Sequence, residues 1–335
     1  MAIHIGRRNL IVMLASAAAA RPFAARAQQG ERRIGLLMNG VPTEPSYRSW
    51  ADIFVKTLQT LGWRDGQNLR LDIRWSASDP KLIRYYAEEL VATAPDLIVS
   101  ASTANLQALL QTTNSIPIVF LGVSDPVAQG FVYNLGHPGG NITGFVSYEL
   151  SMGGKWIDLL KQMAPSLARI AVVFNPDAAP QSKVLLRSIE AAALTFKTEV
   201  IAAPVHNEAE IERAIETVSR EPNGGVLLAP DSFTAQPQHN DLIIALVARR
   251  GLPAIYANTE TAIRRGGLMY YGVDFEPGYR QAAVYVNSIL KGTKPGDLPI
   301  QMPTNFKFIV NLKTARALGI EVPMGLMLRA DELIE

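Results

Sequence analysis

No cysteine occurs anywhere in the 335 residues, so disulfides, thiolate metal sites and a cysteine nucleophile are excluded. Lipid attachment through an N-terminal cysteine goes with them. Histidine is nearly as scarce. Beyond the first residues only His137, His206 and His239 remain, without H-x-x-x-H spacing, and no metal site is expected. A G-x-S-x-G elbow, a P-loop and a G-x-G-x-x-G turn are all missing. No cofactor is expected. Nor is there the clustered basic surface that a nucleic-acid partner would require.

Long apolar runs are missing too. The most marked one, LIVMLASAAAA from Leu10 to Ala20, is shorter than the roughly 18 residues of a membrane span. Arg7 and Arg8 precede it, and Ala25-Arg-Ala27 before Gln28 fits a small-x-small cleavage site. Residues 1–27 therefore read as a signal peptide cleaved near Ala27, with either the general or the twin-arginine export route open. Removing Arg7, Arg8, Arg21 and Arg26 leaves 32 − 4 = 28 bases against 30 acids, a net charge of −2. The slight basicity of the whole chain thus belongs to its leader. The mature protein is expected to be soluble in the periplasm and monomeric.

What is present is an alternation. From Arg32 onward, short β-branched runs alternate with longer segments of helical period, the pattern of a parallel α/β sheet. Strands are expected near Ile34–Met38, Leu69–Trp75, Leu97–Ser100 and Ile118–Leu121, then again near Ile170–Phe174, Glu199–Ala202, Val226–Ala229 and Ala254–Tyr256. The order repeats. RIGLLMNG from Arg33 and RIAVVFNP from Arg169 lie 169 − 33 = 136 residues apart, and SIPIVF and GLPAIY carry prolines at 117 and 253, the same offset. Two doubly wound Rossmann-like lobes joined by a hinge follow. The expected division is residues 32–147 plus about 274–292 for one lobe and 148–273 plus about 304–335 for the other.

In open parallel sheets ligands bind beyond the carboxyl ends of the strands. The loops expected there are Asn39-Gly40, Ala101-Ser102-Thr103, Ser124-Asp125, Asn175-Pro176, Asp231-Ser232-Phe233 and Asn258-Thr259. They hold small hydrogen-bonding residues and single carboxylates, suited to holding a small polar solute. Ser102 and Thr103 open a helix, where hydroxyls and free N–H groups can bind a carboxylate, cap the helix, or both. Asp125, Asp231 and Asp274 are candidate partners for a cation, each also readable as a turn or cap residue. Tyr47, Phe233, Tyr256 and Tyr270 could flank an aromatic part of a ligand or simply fill the core. Asn175 reads as a better contact than Asn39, because Pro176 has no N–H to offer.

Several stretches together are distinctive: RIGLLM from Arg33, IPIVF from Ile116, VSDPV from Val123, PGGNITG from Pro138, GGKW from Gly153, FNP from Phe174, PTNF from Pro303 and VNLKTA from Val310. In these the chain resembles the ABC transporter substrate-binding protein family that includes tryptophan- and tyrosine-binding receptors. The resemblance implies a type I periplasmic-binding-protein-like fold that closes on its solute and delivers it to an ABC permease in the cytoplasmic membrane. It places pocket loops at Ser102, Thr103, Asp125, Asn141, Asn175 and Asp231. The motifs do not fix the solute; an amino acid, aromatic in the named relatives, is the expectation. Two other classes fit the same residues: an exported enzyme using Asp125, Asp231 or Asp274 between the lobes, and a receptor that signals its occupied state.

Overall fold

The computed structural model describes residues 31–147, 152–179 and 181–335. The expected leader lies outside them. Strands β1 (Arg32–Met38), β2 (Leu69–Trp75), β3 (Leu97–Ala101), β4 (Ile118–Val123) and β5 (Ile142–Val146) form one parallel sheet in the order β2-β1-β3-β4-β5. Helices α1 (Pro45–Thr60), α2 (Pro80–Ala92) and α3 (Thr103–Thr112) connect the first four. The order reverses at β1 and β3, the switch point of a doubly wound sheet, where a crevice opens beyond the strand ends.

The second sheet repeats the scheme. Strands β6 (Arg169–Phe174), β7 (Glu199–Pro204), β8 (Gly224–Leu228) and β9 (Ala254–Tyr256) take the order β7-β6-β8-β9. Helices α4 (Met152–Met163), α5 (Ser182–Thr195), α6 (Glu208–Ser219), α7 (Pro237–Arg249) and the short α8 (Thr261–Arg264) cover its faces. Strand β10 (Met269–Val273) extends it in parallel. The chain then makes helix α9 (Phe275–Leu290) and returns as β11 (Phe306–Asn311), antiparallel to β10. Helices α10 (Leu312–Ala317) and α11 (Met324–Met327) and strand β12 (Glu332–Ile334) complete it. No helix of the described residues is long and apolar enough to cross a membrane.

The repeated octapeptides are β1 and β6, the first strand of each sheet. Between the heading Arg and the Asn, both are apolar because both sheet faces are covered. Ile34, Leu36 and Met38 enter one core and Leu37 the opposite one; Ile170, Val172 and Phe174 enter one core and Ala171 and Val173 the other. The basic residue heading each repeat has an equivalent role as well. Arg33 pairs with Asp72 on β2 at 2.7 Å, and Arg169 with Glu199 on β7 at 3.5 Å. Such partly exposed pairs add about 1 kcal/mol each, so burial holds the strands and the pairs mark their ends.

Helix α9 is the exception to sequential order. It follows the second sheet yet packs on α1, and Tyr279, Ala282, Ala283 and Val286 lie in the same core as Phe54 and Leu58. The alternation-based expectation lacked β5, β10 and α4. The β5 segment, ITGFV, is short and follows a turn; α4 begins with Met-Gly-Gly, whose two glycines are poor helix formers, Gly153 fitting closely against Ile189.

Candidate functional site

A cleft of about 820 Å³, partly open to solvent, lies between the two sheets at their carboxyl ends. From the first lobe come Asn39 after β1, Ser102 and Thr103 after β3, and Gly122 at the end of β4; from the second come Ala178, Asp231, Ser232 and Asn258. Ser147, just past β5, sits at the crossing between them.

The floor on the first-lobe side is a helix opening. Ser102 caps α3, its Oγ accepting the Asn105 N–H at 3.1 Å. Its backbone has φ 150 and ψ 164, a region otherwise reserved for glycine and costing about 1–3 kcal/mol. Thr103 follows, 3% exposed, and its Oγ1 finds no hydrogen-bond partner among the described residues; Ser147 Oγ is likewise buried without one among them. Buried hydroxyls left unpaired beside a helix N-terminus suit an anion that accepts from both.

Facing them is a lone carboxylate. Asp231 accepts the Thr234 N–H and hydroxyl, each at 2.7 Å, and the Asn175 N–H at 3.3 Å. Desolvation by burial outweighs these bonds and raises its pKa from 3.8 to about 6. A carboxylate held this way gains from a cation that replaces its lost water.

Between these two poles stands an aromatic wall. Trp50 of α1 stacks on Tyr279 with centroids 5.8 Å apart and meets Phe275 at 4.9 Å, while Tyr47 abuts its edge at 5.1 Å. Trp156 of α4 closes the opposite side, its indole N–H donated to the Tyr271 carbonyl at 2.8 Å. Gly40 earns its place under this wall. A Cβ there would lie 2.1 Å from the Tyr47 ring, so it serves close packing as well as ending β1.

The expected site residues divide. Asn39, Ser102, Thr103, Asp231, Ser232 and Asn258 line the cleft, and so do Tyr47 and Tyr270 among the candidate aromatics. The others lie elsewhere, each for a local reason. Asn175 turns its side chain onto its own loop, accepting the Asp177 and Ala178 N–H groups at 2.9 and 2.8 Å, which reverses the preference for Asn175 over Asn39. Asn141 precedes β5 and donates to the Ile116 carbonyl at 2.7 Å, at the amino ends of the strands and therefore on the edge away from the cleft. Asp125, at φ 38, accepts the Ala128 N–H at 3.0 Å in a turn, and Ser124 is wholly buried beside it. Phe233 packs on His239 at 3.9 Å and Tyr256 sits in the core at 1% exposure. Asp274 caps α9, accepting the Glu276 N–H at 3.2 Å, and lines a smaller hollow behind the crossing. Sequence reasoning missed Trp50, Trp156, Phe275, Tyr279 and Ser147. The spacing Tyr47, Trp50, Phe54 was a helical-face signal for the first of these; for the others nothing short of the fold says which core they meet.

Residues 43–334 match the family described as ABC transporter substrate binding protein. The chain belongs to that family. It is 30% identical over 270 residues to the tyrosine-binding protein of Clostridioides difficile strain R20291, covering 80% of this chain and 76% of that one. A conserved domain protein from Vibrio cholerae superposes with a TM-score of 0.82 at 25% identity, over 90% of this chain and 99% of that one. An ABC domain from Streptococcus pneumonia in complex with L-Trp does so with a TM-score of 0.79 at 22% identity, over 91% and 100%. This chain is thus a substrate-binding protein of an ABC transporter system, with a small-molecule ligand and a permease partner.

As in a binding protein whose lobes have met, contacts span the cleft mouth. Gln236 donates to the Ala77 carbonyl at 2.8 Å, and Arg265, anchored on Asp241 at 3.0 Å, reaches Glu44 at 3.6 Å. Ala77 and Ser78 have φ of 50 and 56, a left-handed pair that turns that carbonyl toward the other lobe.

Proposed function

We propose that this chain is the periplasmic receptor of an importer and that its solute is an aromatic amino acid clasped between the lobes. One observation carries the reading: a single cleft sets an anion-binding helix opening and a buried carboxylate on opposite lobes, with an aromatic wall between. The solute's carboxylate lies against Thr103, Ser147 and the free N–H groups of α3. Its ammonium pairs with Asp231, and its ring packs among Trp50, Phe275, Tyr279 and Trp156. The relatives' tyrosine and L-Trp support that choice.

The residues near the three crossings, about 147, 273 and 301–305, form the hinge, and the solute stabilises the closed form because only there does it touch both lobes. The apolar leader supports export. Asp231 is the only carboxylate among the described residues lining the main cleft, an arrangement that favours holding over acid–base chemistry with two groups.

Thermal melting against the amino acids tests this. A solute at about 100 times its dissociation constant adds roughly 2.7 kcal/mol. Tyrosine or tryptophan raising Tm, with alanine and glutamate inert, is expected. A flat response to every aromatic amino acid overturns the reading.

A further inference from the structure

One acceptor in the cleft is left over by the assignments above. Asn258 lies in the loop after β9 and lines the cleft; its Oδ1 is buried with no hydrogen-bond partner among the described residues. Its Nδ2 donates to Thr234 Oγ1 at 3.1 Å, and that hydroxyl is 2.7 Å from Asp231 Oδ2.

These two bonds fix the direction of the whole chain. An ionised carboxylate only accepts, so the single Thr234 hydroxyl proton goes to Asp231. The Thr234 oxygen is then free only to accept, and Asn258 must offer it the NH2 end of its amide. Turning the amide over would place oxygen against oxygen with no proton between them, so the network settles which end is which. Asn258 is thereby held with its carbonyl oxygen as an obligate acceptor on the same side of the cleft as Asp231. A buried oxygen without a donor is costly, and the missing donor is the solute.

We infer that Asn258, oriented by Thr234, is a specificity-determining residue that selects solutes whose cationic end carries at least two N–H donors. A primary ammonium satisfies both Asp231 and Asn258. A quaternary ammonium carries the same charge and satisfies neither by hydrogen bonding, so charge alone is insufficient. The inference rests on the amino-acid reading above and sharpens it from a cation to an ammonium with at least two N–H groups, primary or secondary.

Calorimetric titration of tyrosine, N-methyltyrosine and N,N,N-trimethyltyrosine into the full mature chain tests it. Wild type is expected to bind the trimethyl form at least about 100-fold more weakly than tyrosine. In Asn258→Ala, tyrosine weakens by about 10- to 100-fold while the trimethyl form changes less than about threefold, narrowing the ratio. Thr234→Val, which frees the amide to turn, narrows it in the same way, and Thr234→Ser restores it. Melting of each empty variant confirms that it is folded, and either variant alone decides the question. Equal weakening of all three solutes by Asn258→Ala, or none, overturns the assignment while leaving the amino-acid reading intact. Wild type that binds none of the three overturns that reading itself, and this one with it.

Discussion

With the solute's ammonium at Asp231, as proposed, binding should depend on pH in a direction and size set by this carboxylate. Its pKa rises from 3.8 to about 6 because burial removes water faster than Thr234 and Asn175 replace it. Between those values the folded protein keeps a proton that the unfolded chain has lost. The empty protein therefore loses stability as pH climbs through this window, by (6 − 3.8) × 1.36, or about 3 kcal/mol from this group. Above about pH 6 the cost is fully present, and the solute's ammonium, which stays protonated there, relieves it. Below about pH 6 the solute must first displace a proton, so its dissociation constant weakens about tenfold per pH unit. Calorimetric titration of tyrosine at about pH 5 and about pH 7 should differ roughly tenfold, with proton release at the lower pH seen as a dependence on buffer ionisation enthalpy. Asp231→Asn should bind weakly and lose the slope. A dissociation constant unchanged between the two pH values, or a slope that survives Asp231→Asn, refutes the placement of the cation at this carboxylate.

Three further outcomes follow from the geometry. Trp50→Ala removes the ring that meets Tyr47, Phe275 and Tyr279; tyrosine affinity should fall by about 10- to 100-fold in titration, since a large aromatic contact is worth a few kcal/mol at most after repacking. The Arg265→Ala, Gln236→Ala double variant loses both contacts across the mouth; scattering should show a larger radius for the empty protein, and affinity should fall by no more than about tenfold, as partly exposed polar contacts are individually weak. Gly40→Ala drives a methyl to 2.1 Å from the Tyr47 ring; overpacking of this kind costs about 1–3 kcal/mol, to be read as a lower denaturant midpoint together with weaker tyrosine binding.

Much of the frame was legible in the sequence because doubly buried parallel strands leave an apolar signature that needs no partner to interpret. The octapeptides at Arg33 and Arg169 became β1 and β6, and the strand-end rule carried Asn39, Ser102, Thr103 and Asp231 to the cleft. The same rule failed for Asn175, Asp125 and Asp274. Short acidic and amide side chains satisfy neighbouring N–H groups as readily as a ligand's, and in these loops the local bond won. Asn141 was placed by resemblance alone, and the fold puts it at the opposite ends of the strands.

By itself the sequence determined two repeated α/β units and put Ser102, Thr103 and Asp231 at strand ends, since each depends on residues close together in the chain. Only the tertiary structure decided what these loops face. The aromatic wall joins Trp50 of α1 to Phe275 and Tyr279 of α9, residues more than two hundred positions apart, because the chain leaves the second sheet at Val273 and lays α9 against α1. The direction in which Asn258 presents its oxygen likewise comes from a proton on Thr234 that Asp231 claims. Both depend on contacts whose partners the local sequence does not name.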